Sequence, residues 1–147
     1  MPRASRNRPD QAAAIPVRFR RRKVQVCVIR RRGGKSWGIP KGLIDRGDTA
    51  EETALNESWE EAGLTGRVLG RALGTYQYQK WDRTLTVAVY LMEVEAQERT
   101  WEEASFRERK WIVFDDADAY LKRHPARSLL ERAWRRLRRS KPRLGRD

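Results

Sequence analysis

The sequence predicts an α/β fold in which a mixed β-sheet is sandwiched between α-helices. Two observations support this prediction. Short apolar runs alternate with amphipathic stretches in the order strand, strand, long helix, hairpin, strand, C-terminal helix. The 147 residues show no internal repeat and no domain boundary, and a chain of this length buries roughly two-thirds of its unfolded surface. We therefore expect a single domain with a substantial core.

The first strand is expected after a polar N-terminal segment. Residues 1–15 are basic, polar and alanine-rich, and we predict that they are disordered, so that the folded domain covers residues 16–139. The apolar, β-branched run Val24–Ile29 is typical of a central strand. Residues 36–39 are expected to form a short strand that leads into a loop at Pro40.

A long helix is predicted from a cap at Asp48 or Thr49 to about Ala62. Each of these caps has a glutamate three residues further on, and Gly63 is a helix stop signal. With 3.6 residues per turn, the helix has two unlike faces. The acidic face carries Thr53, Glu57, Glu60 and Glu61, and the opposite face, predicted to be packed, carries Leu55, Trp59 and Ala62.

The rest of the chain predicts a hairpin, another strand and two helical stretches. The hairpin strands alternate apolar and polar residues, and the last helix has one apolar side. That side consists of Leu129, Leu130, Ala133, Trp134 and Leu137. The predicted ranges are 67–80 and 84–94 for the hairpin, 95–105 for an irregular acidic segment, 107–114 for the strand, and 115–121 and 125–137 for the helices.

The acidic face of the long helix indicates a metal site. Glu57, Glu60 and Glu61 repel one another at spacings of three and four residues. A hard divalent cation such as Mg²⁺ removes this repulsion, because it binds carboxylate oxygens and keeps waters for an anionic substrate. The alternative is a solvated acidic face, which is common in a chain with 36% charged residues.

The stretch from Gly42 to Leu64 resembles the Nudix box, whose pattern is G, five residues, E, seven residues, then R-E-U-x-E-E-x-G-U, where U is a bulky aliphatic. The register matches at Gly42, Glu57, Glu60, Glu61, Gly63 and Leu64. Three positions depart from the pattern. Asp48 stands for the first glutamate, Asn56 for the arginine and Ser58 for the aliphatic residue.

This resemblance implies a Nudix fold and a metal-assisted hydrolysis of a diphosphate linked to another group. The implied cofactor is Mg²⁺, with Mn²⁺ as a substitute. The implied metal ligands are the Gly42 carbonyl, Glu57, Glu60 and Glu61, and the implied catalytic residues are Glu57 and Glu60. The general base of this family sometimes comes from a later loop, so Glu102 and Glu103 stay candidates. We also hypothesise that Asp48 and Asn56 form a shorter version of the family's arginine contact.

The flanking residues resemble the diphosphoinositol polyphosphate phosphohydrolases, which also cleave diadenosine polyphosphates. The matching motifs are Asp82-Arg83-Thr84, Trp101-Glu102-Glu103, Arg109-Lys110-Trp111 and Asp116-Ala117. Lys41, which replaces a glycine of that group, is closer to the dinucleoside polyphosphate hydrolases. The resemblance implies an anionic small-molecule polyphosphate substrate, since cations bind phosphate oxygens. The implied substrate-binding residues are Arg21, Lys23, Lys41, Arg83 and Arg109, each of which, taken alone, is more typical of a solvated surface.

Aromatic residues divide into two groups. Tyr76, Tyr78 or Trp81 could stack on an adenine, at roughly 1 to 3 kcal/mol per base. Trp37, Trp59 and Trp111 are expected in the core. His124, the only histidine, is expected at an exposed helix start without a catalytic role.

Composition adds an expectation about partners and location. The net charge of +13, with a pI near 10.8, attracts polyanions. Nucleic acid could therefore bind the basic segments at residues 1–15 and at the C-terminal tail, 140–147. Two alternatives follow: removal of a 5′ pyrophosphate from RNA, or a Nudix-fold module that binds ligands without hydrolysis. The single Cys27 and the lack of an apolar span or signal core predict a cytoplasmic location and no membrane contact.

Overall fold

A computed structural model describes residues 8–140 and contains one seven-stranded mixed sheet with helices on both faces. The predicted fold class is confirmed. The strands are β1 Gln11–Arg20, β2 Lys23–Arg31, β3 Lys41–Leu43, β4 Leu64–Val68, β5 Gly74–Lys80, β6 Arg83–Gln97 and β7 Arg107–Val113. The helices are α1 Ala50–Ala62, α2 Ala117–Tyr120 and α3 Leu130–Ser140, with 3₁₀ turns at Phe114–Asp116 and Pro125–Leu129.

Strand β1 is the centre of the sheet. The strand order is β4-β6-β1-β2-β7, with β3 added to β1 and β5 to β6. The β1–β6 pair is parallel, whereas the other pairs are antiparallel. The prediction that residues 1–15 are disordered is therefore wrong for Gln11–Ile15, which are buried in this strand. Residues 1–7 and 141–147, most of the two predicted tails, lie outside the described residues.

The two faces of β1 bury two separate clusters. Ala12 and Ala14 lie beneath α1, against Ala54 and Ala62. Because adjacent residues of a strand point to opposite faces, Ala13, Ile15 and Val17 belong to the other cluster. That cluster includes Leu130, Ala133 and Leu137 of α3 and, from the predicted apolar face of β6, Val87, Val89 and Leu91. Leu85 of the same face is also buried. No helix within residues 8–140 is long and apolar enough to span a membrane.

Several predicted strand boundaries are corrected by the structure. Residues 36–39, predicted to be a strand, form only one bridge, between Gly38 and Ile29. The short strand is instead β3, which lies in the segment after Pro40 that was predicted to be a loop. The predicted strand 67–80 is two strands, β4 and β5, which both pair with β6. Residues 95–97, expected to be irregular, extend β6 because β4 continues the pairing there. Strand pairing, which the sequence does not display, sets each of these ends.

Helix α1 has the predicted ends but not quite the predicted faces. Thr49 is the N-cap and forms a capping box with Glu52. Gly63 ends the helix with φ of 66°, a left-handed conformation that glycine adopts without strain. Trp59, predicted to be packed, is 43% exposed, whereas Glu61 of the acidic face is buried. The packed face is thus rotated toward Ala54 and Ser58.

The C-terminal region is helical in shorter pieces than predicted. The aspartate cap expected at residue 115 is absent from the described structure, where a 3₁₀ turn leads into α2 without a side-chain cap. A second 3₁₀ turn precedes α3. His124 caps that turn by accepting a hydrogen bond from the backbone N–H of Ala126. Trp134 of α3 is half-buried against Phe114.

The capping box generates the first prediction. Thr49→Ala should lower the free energy of unfolding by about 1 kcal/mol, because the N–H of Glu52 loses its acceptor. Urea unfolding measures this loss. Asp48→Ala is the matched control, since the Asp48 side chain caps nothing in the described structure, and it should cost less than about 0.5 kcal/mol. Equal losses in the two variants would contradict the assignment of the cap to Thr49.

Candidate active site

Helix α1 brings two carboxylates to strand β3. The carboxylate of Glu57 lies against Gly42, where a Cβ atom would overlap it. Glu61 is only 6% exposed, and its Oε1 accepts a hydrogen bond from the backbone N–H of Lys41 at 3.3 Å. This close approach of Glu57 is possible only with a glycine at position 42. The glycine that matches the first position of the Nudix box therefore has a steric role here.

The electrostatics of this pair indicate a cation site. Burial, and then a hydrogen bond with Glu57, raise the pKa of Glu61 to about 9, while burial also raises the pKa of Glu57. Both shifts show that two negative charges are unfavourable here without a counterion. The donors are all oxygen atoms, which suits a hard divalent cation. The residues therefore fit the Mg²⁺ that the sequence predicted.

A second group of carboxylates joins α1 to the loop between β6 and β7. Oxygen atoms of Glu60, Glu102 and Glu103 lie within 4.8 Å of one another. Two hydrogen bonds hold the loop there: Glu103 N–H donates to the Glu60 carbonyl at 3.1 Å, and Trp101 Nε1 donates to the Glu61 carbonyl at 2.9 Å. The structure thus brings the two loop glutamates beside a predicted catalytic residue.

Two arginines of β7 support this loop through contacts with protein groups. Arg107 Nε is 2.5 Å from Glu103 Oε1, and its Nη2 is 4.0 Å from Glu61 Oε2. Arg109 donates to the carbonyls of Ala62 and Glu98 and stacks on the ring of Trp101. Sequence reasoning missed Arg107. Arg109 was predicted to bind the substrate. In the structure its guanidinium donates to the carbonyl of Ala62 at the C-terminal end of α1.

Two other predicted substrate ligands lie far from Gly42 in the sheet. Arg21 and Lys23 lie at the hairpin turn between β1 and β2. Gly42 pairs with Ala12 at the opposite end of β1, and the ten residues of β1 span about 30 Å at roughly 3.3 Å per residue. Arg83, at the start of β6, stays near the site, since it lines a surface depression with Leu43 of β3.

Lys41 connects the carboxylates to the opposite face of the sheet. Its backbone N–H bonds Glu61, but its side chain points away from α1. The ammonium group donates to the Tyr78 hydroxyl at 3.0 Å, and that hydroxyl donates to Gln11 Oε1 at 2.7 Å. Sequence reasoning missed Gln11 because its segment was predicted to be disordered. A glutamine inside an apolar strand was the available signal.

A cleft of about 330 Å³ opens on this second face. Two aromatic rings line it, those of Trp37 and Tyr120, whose centroids are 6.0 Å apart. Trp37 was predicted to lie in the core and is only half-buried. The cleft also carries three cations, Lys35, Lys122 and Arg123, together with Ser36, Ala119, His124 and Pro125.

His124 differs from its predicted exposed position. Its ring contacts the Tyr76 ring edge-on, and its carbon Cδ2 would lie 3.3 Å from a Cβ at Gly38. Burial, and then the charge of Lys41, lower the pKa of His124 to about 4. Nδ1 accepts from Ala126, so the ring is neutral near pH 7 and carries its proton on Nε2. His124 therefore lines the cleft as a neutral ring.

The predicted stacking residues have unequal access. Tyr76 is 8% exposed, so its face cannot receive a base, and its hydroxyl has no hydrogen-bond partner in the described part of the chain. Tyr78 is half-buried beneath Lys41. Trp81 is exposed, but Lys80 lies over its ring at the tip of the β5–β6 hairpin. The rings that line the cleft are those of Trp37 and Tyr120.

The three departures from the Nudix box have different consequences. Ser58 is buried and donates to the Ala54 carbonyl at 2.9 Å within α1. Asn56 is exposed, and among residues 8–140 no hydrogen bond joins it to Asp48. The hypothesised contact between these two residues is therefore not formed. Residue 56 does not orient any carboxylate of the site.

The sequence is similar to those of known proteins. The family model described as NUDIX domain matches residues 8–133. The chain is 32% identical over 113 residues to Nudix hydrolase 4 of Arabidopsis thaliana, covering 70% of this chain and 54% of that protein. It is 31% identical over 116 residues to diphosphoinositol polyphosphate phosphohydrolase 3-beta of Homo sapiens, covering 78% and 70%. The chain spans about half the length of the first curated relatives it matches.

Solved structures share the fold at low identity. A binary complex of the Caenorhabditis elegans Ap4A hydrolase matches with a TM-score of 0.72 and 21% identity, covering 88% of this chain and 97% of that chain. The NUDIX domain of Shewanella oneidensis NrtR, crystallised with ADP ribose, matches with a TM-score of 0.66 and 20% identity, covering 93% of both. At these identities the similarity concerns the fold alone.

His124 generates a prediction about acid stability. Between pH 6.5 and about 4 the unfolded chain binds a proton that the folded ring does not, so the free energy of unfolding should fall as the pH falls through this range. His124→Asn keeps a cap acceptor but does not titrate. Its stability should therefore depend less steeply on pH, by at most about 1.4 kcal/mol per pH unit. Urea unfolding from pH 7 to 4.5 tests this, and equal slopes would contradict it.

Proposed function

The chain belongs to the NUDIX domain family, and on this premise we propose that it is a divalent-metal-dependent hydrolase of a diphosphate linkage in an anionic polyphosphate. The observation that carries the proposal is the set of carboxylates around Gly42 and Glu60. A face that were merely acidic and solvated would not bury Glu61 or require a glycine against Glu57. The cost of burying these charges favours a bound cation.

The proposed metal ligands fall in two groups. Glu57, Glu61 and the Gly42 carbonyl would hold one Mg²⁺, and Glu60 with Glu102 would hold another, which leaves Glu103 to accept a proton. Mn²⁺, which accepts the same oxygen ligands, should substitute. When bound, the metal supplies positive charge to the phosphate oxygens and makes a nearby water more acidic.

The chain's own residues then perform the rest of the reaction. A water attacks phosphorus, a new P–O bond forms, and the anhydride P–O bond breaks with the second phosphate as the leaving group. The proton of the water passes to a carboxylate. Glu103 is the proposed acceptor, and Glu60 is the alternative acceptor in an enzyme that holds a single metal ion. Glu57, which lies against Gly42, would act as a metal ligand. In that role it would help to hold the diphosphate next to the proton acceptor. The phosphate chain is expected to pass Lys41, whose N–H bonds Glu61 and whose ammonium reaches the other face.

The cleft favours a nucleotide over an inositol as the group attached to the diphosphate. Arg30 lies over one face of the Trp37 ring, 4.3 Å from its centroid, and Lys110 over one face of the Tyr120 ring, 5.1 Å from its centroid, so a base would stack on the other faces. The three cations of the cleft match further phosphates. An inositol polyphosphate has no flat face to stack and needs more cations, two of which, Arg21 and Lys23, lie far away. We therefore propose dinucleoside polyphosphates as the substrate class, with diphosphoinositol polyphosphates as the second candidate suggested by the named relative.

Parallel assays test the substrate class. Product release with Mg²⁺ should be fastest with diadenosine hexaphosphate, slower with a diphosphoinositol polyphosphate, and slowest with 5′-triphosphorylated RNA. Trp37→Ala should raise the KM for diadenosine hexaphosphate by about tenfold, because a lost stacking contact costs roughly 1 to 3 kcal/mol. Faster turnover of the inositol compound, or of RNA, would contradict the nucleotide assignment. The absence of turnover on all three would contradict the proposed function.

Glu61→Gln tests the metal site itself. The variant should lose at least two orders of magnitude in kcat, since a neutral amide is a poor ligand for Mg²⁺. The metal-free protein should keep its thermal midpoint, because the raised pKa of Glu61 leaves that carboxyl protonated near pH 7. Addition of Mg²⁺ should raise the midpoint of the wild type more than that of the variant.

Glu51→Gln is the matched control for this variant. Glu51 lies on the same helix but is exposed in its first turn, so activity and the response to Mg²⁺ should stay at the wild-type level. A fully active Glu61→Gln variant would remove Glu61 from the metal site.

A further inference from the structure

Residue 56 does not orient the carboxylates of α1 in this chain. The Nudix box has an arginine where this chain has Asn56. Asn56 is exposed and contacts none of the site's carboxylates within the described range of 8–140. An amide in its place also carries no charge. A positive charge at the site must therefore come from another element.

Arg107 on β7 provides that charge from outside the helix. Its Nε is 2.5 Å from Glu103 Oε1, and its Nη2 is 4.0 Å from Glu61 Oε2. The side chains are largely enclosed, at 25% exposure for Arg107, 20% for Glu103 and 8% for Glu61. Ion pairs with little solvent around them are screened weakly, so this contact restricts Glu103 more than a surface pair would.

Two backbone hydrogen bonds also hold Glu103 in place. Arg107 N–H donates to the Glu103 carbonyl at 2.9 Å, and Glu103 N–H donates to the Glu60 carbonyl at 3.1 Å. Glu103 is thus fixed by its N–H, its carbonyl and its carboxylate. Glu102, its neighbour in the acidic group, is exposed and has no such support in the described structure. Of the two loop glutamates, Glu103 alone is held in one position.

We propose that Arg107 is a positioning residue that holds the Glu103 carboxylate beside Glu60 and takes over the orienting role that Asn56 does not perform. This inference rests on the proposed hydrolase function, in which Glu103 lies where the proton of the attacking water is accepted. Arg107 itself does not touch the substrate. It acts through Glu103, and the charge that the family carries on the helix is carried here on the neighbouring strand.

A double-mutant cycle tests the proposal with diadenosine hexaphosphate and saturating Mg²⁺. Arg107→Gln and Glu103→Gln should each lower kcat at least tenfold with little change in KM, since a positioned proton acceptor contributes about 10²- to 10⁴-fold. The double variant should be little slower than Glu103→Gln, because the 2.5 Å contact of Arg107 is with that carboxylate and its 4.0 Å contact with Glu61 is much weaker. Arg107→Lys, which keeps the charge but not the planar fork, should recover part of the loss. Losses that multiply in the double variant would overturn the proposal.

Backbone amide exchange of the metal-free protein gives a second readout that does not depend on catalysis. In Arg107→Gln the amides of Glu103 and Phe106, both hydrogen-bonded in this loop, should exchange faster, while those of α1 stay protected. Arg67→Gln is the control, because Arg67 of β4 also pairs with a glutamate, Glu93 of β6, at 2.9 Å, but away from this loop. That variant should leave kcat and the exchange of the loop unchanged.

The two readouts separate failure of this inference from failure of the proposed function. A wild type that hydrolyses none of the polyphosphates contradicts the function, and amide exchange then decides the position of Glu103. Unchanged exchange in Arg107→Gln overturns the inference in either case. If Arg107→Gln does not fold, Arg107→Lys replaces it in the cycle with Glu103→Gln. A kcat of Arg107→Lys equal to that of the wild type would then overturn the inference.

Discussion

The close packing of α1 against β1 is the contact on which the site depends. Ala12 and Ala14 on the strand meet Ala54 and Ala62 on the helix, and alanines allow the two backbones to approach closely. Because β3 pairs with β1 at Ala12, the same contact sets the distance between α1 and Gly42. The carboxylates of Glu57 and Glu61 thus lie against β3.

Burial of these carboxylates gives the site its electrostatic character. Desolvation opposes two neighbouring charges, which is why the pKa of Glu61 rises to about 9. Arg107 compensates part of this cost and lies on the loop side. The remaining imbalance favours a cation near Gly42. A divalent ion at this position would supply the counter-charge that ionisation of both carboxylates requires.

Strand β3 divides the chemistry of the site between the two faces of the sheet. Gly42 faces the carboxylates, while the Lys41 side chain reaches Tyr78 and Gln11 on the other face. The cleft with Trp37, Tyr120 and His124 lies on this second side. Alternation along β3 thus places the carboxylates and the cleft on opposite faces of the sheet, and Lys41 contacts residues on both.

The sequence by itself determined the fold class, helix α1 with its caps, and the carboxylates at Glu57, Glu60 and Glu61. These features depend on local periodicity and on side-chain type, which a sequence displays directly. The tertiary structure alone decided that Gln11–Ile15 form the central strand, that Arg21 and Lys23 lie far from Gly42, and that Arg107 contacts Glu103. Each of these depends on which strands pair and in what register. Residues distant in the chain meet only after that pairing, so their contacts leave no local pattern.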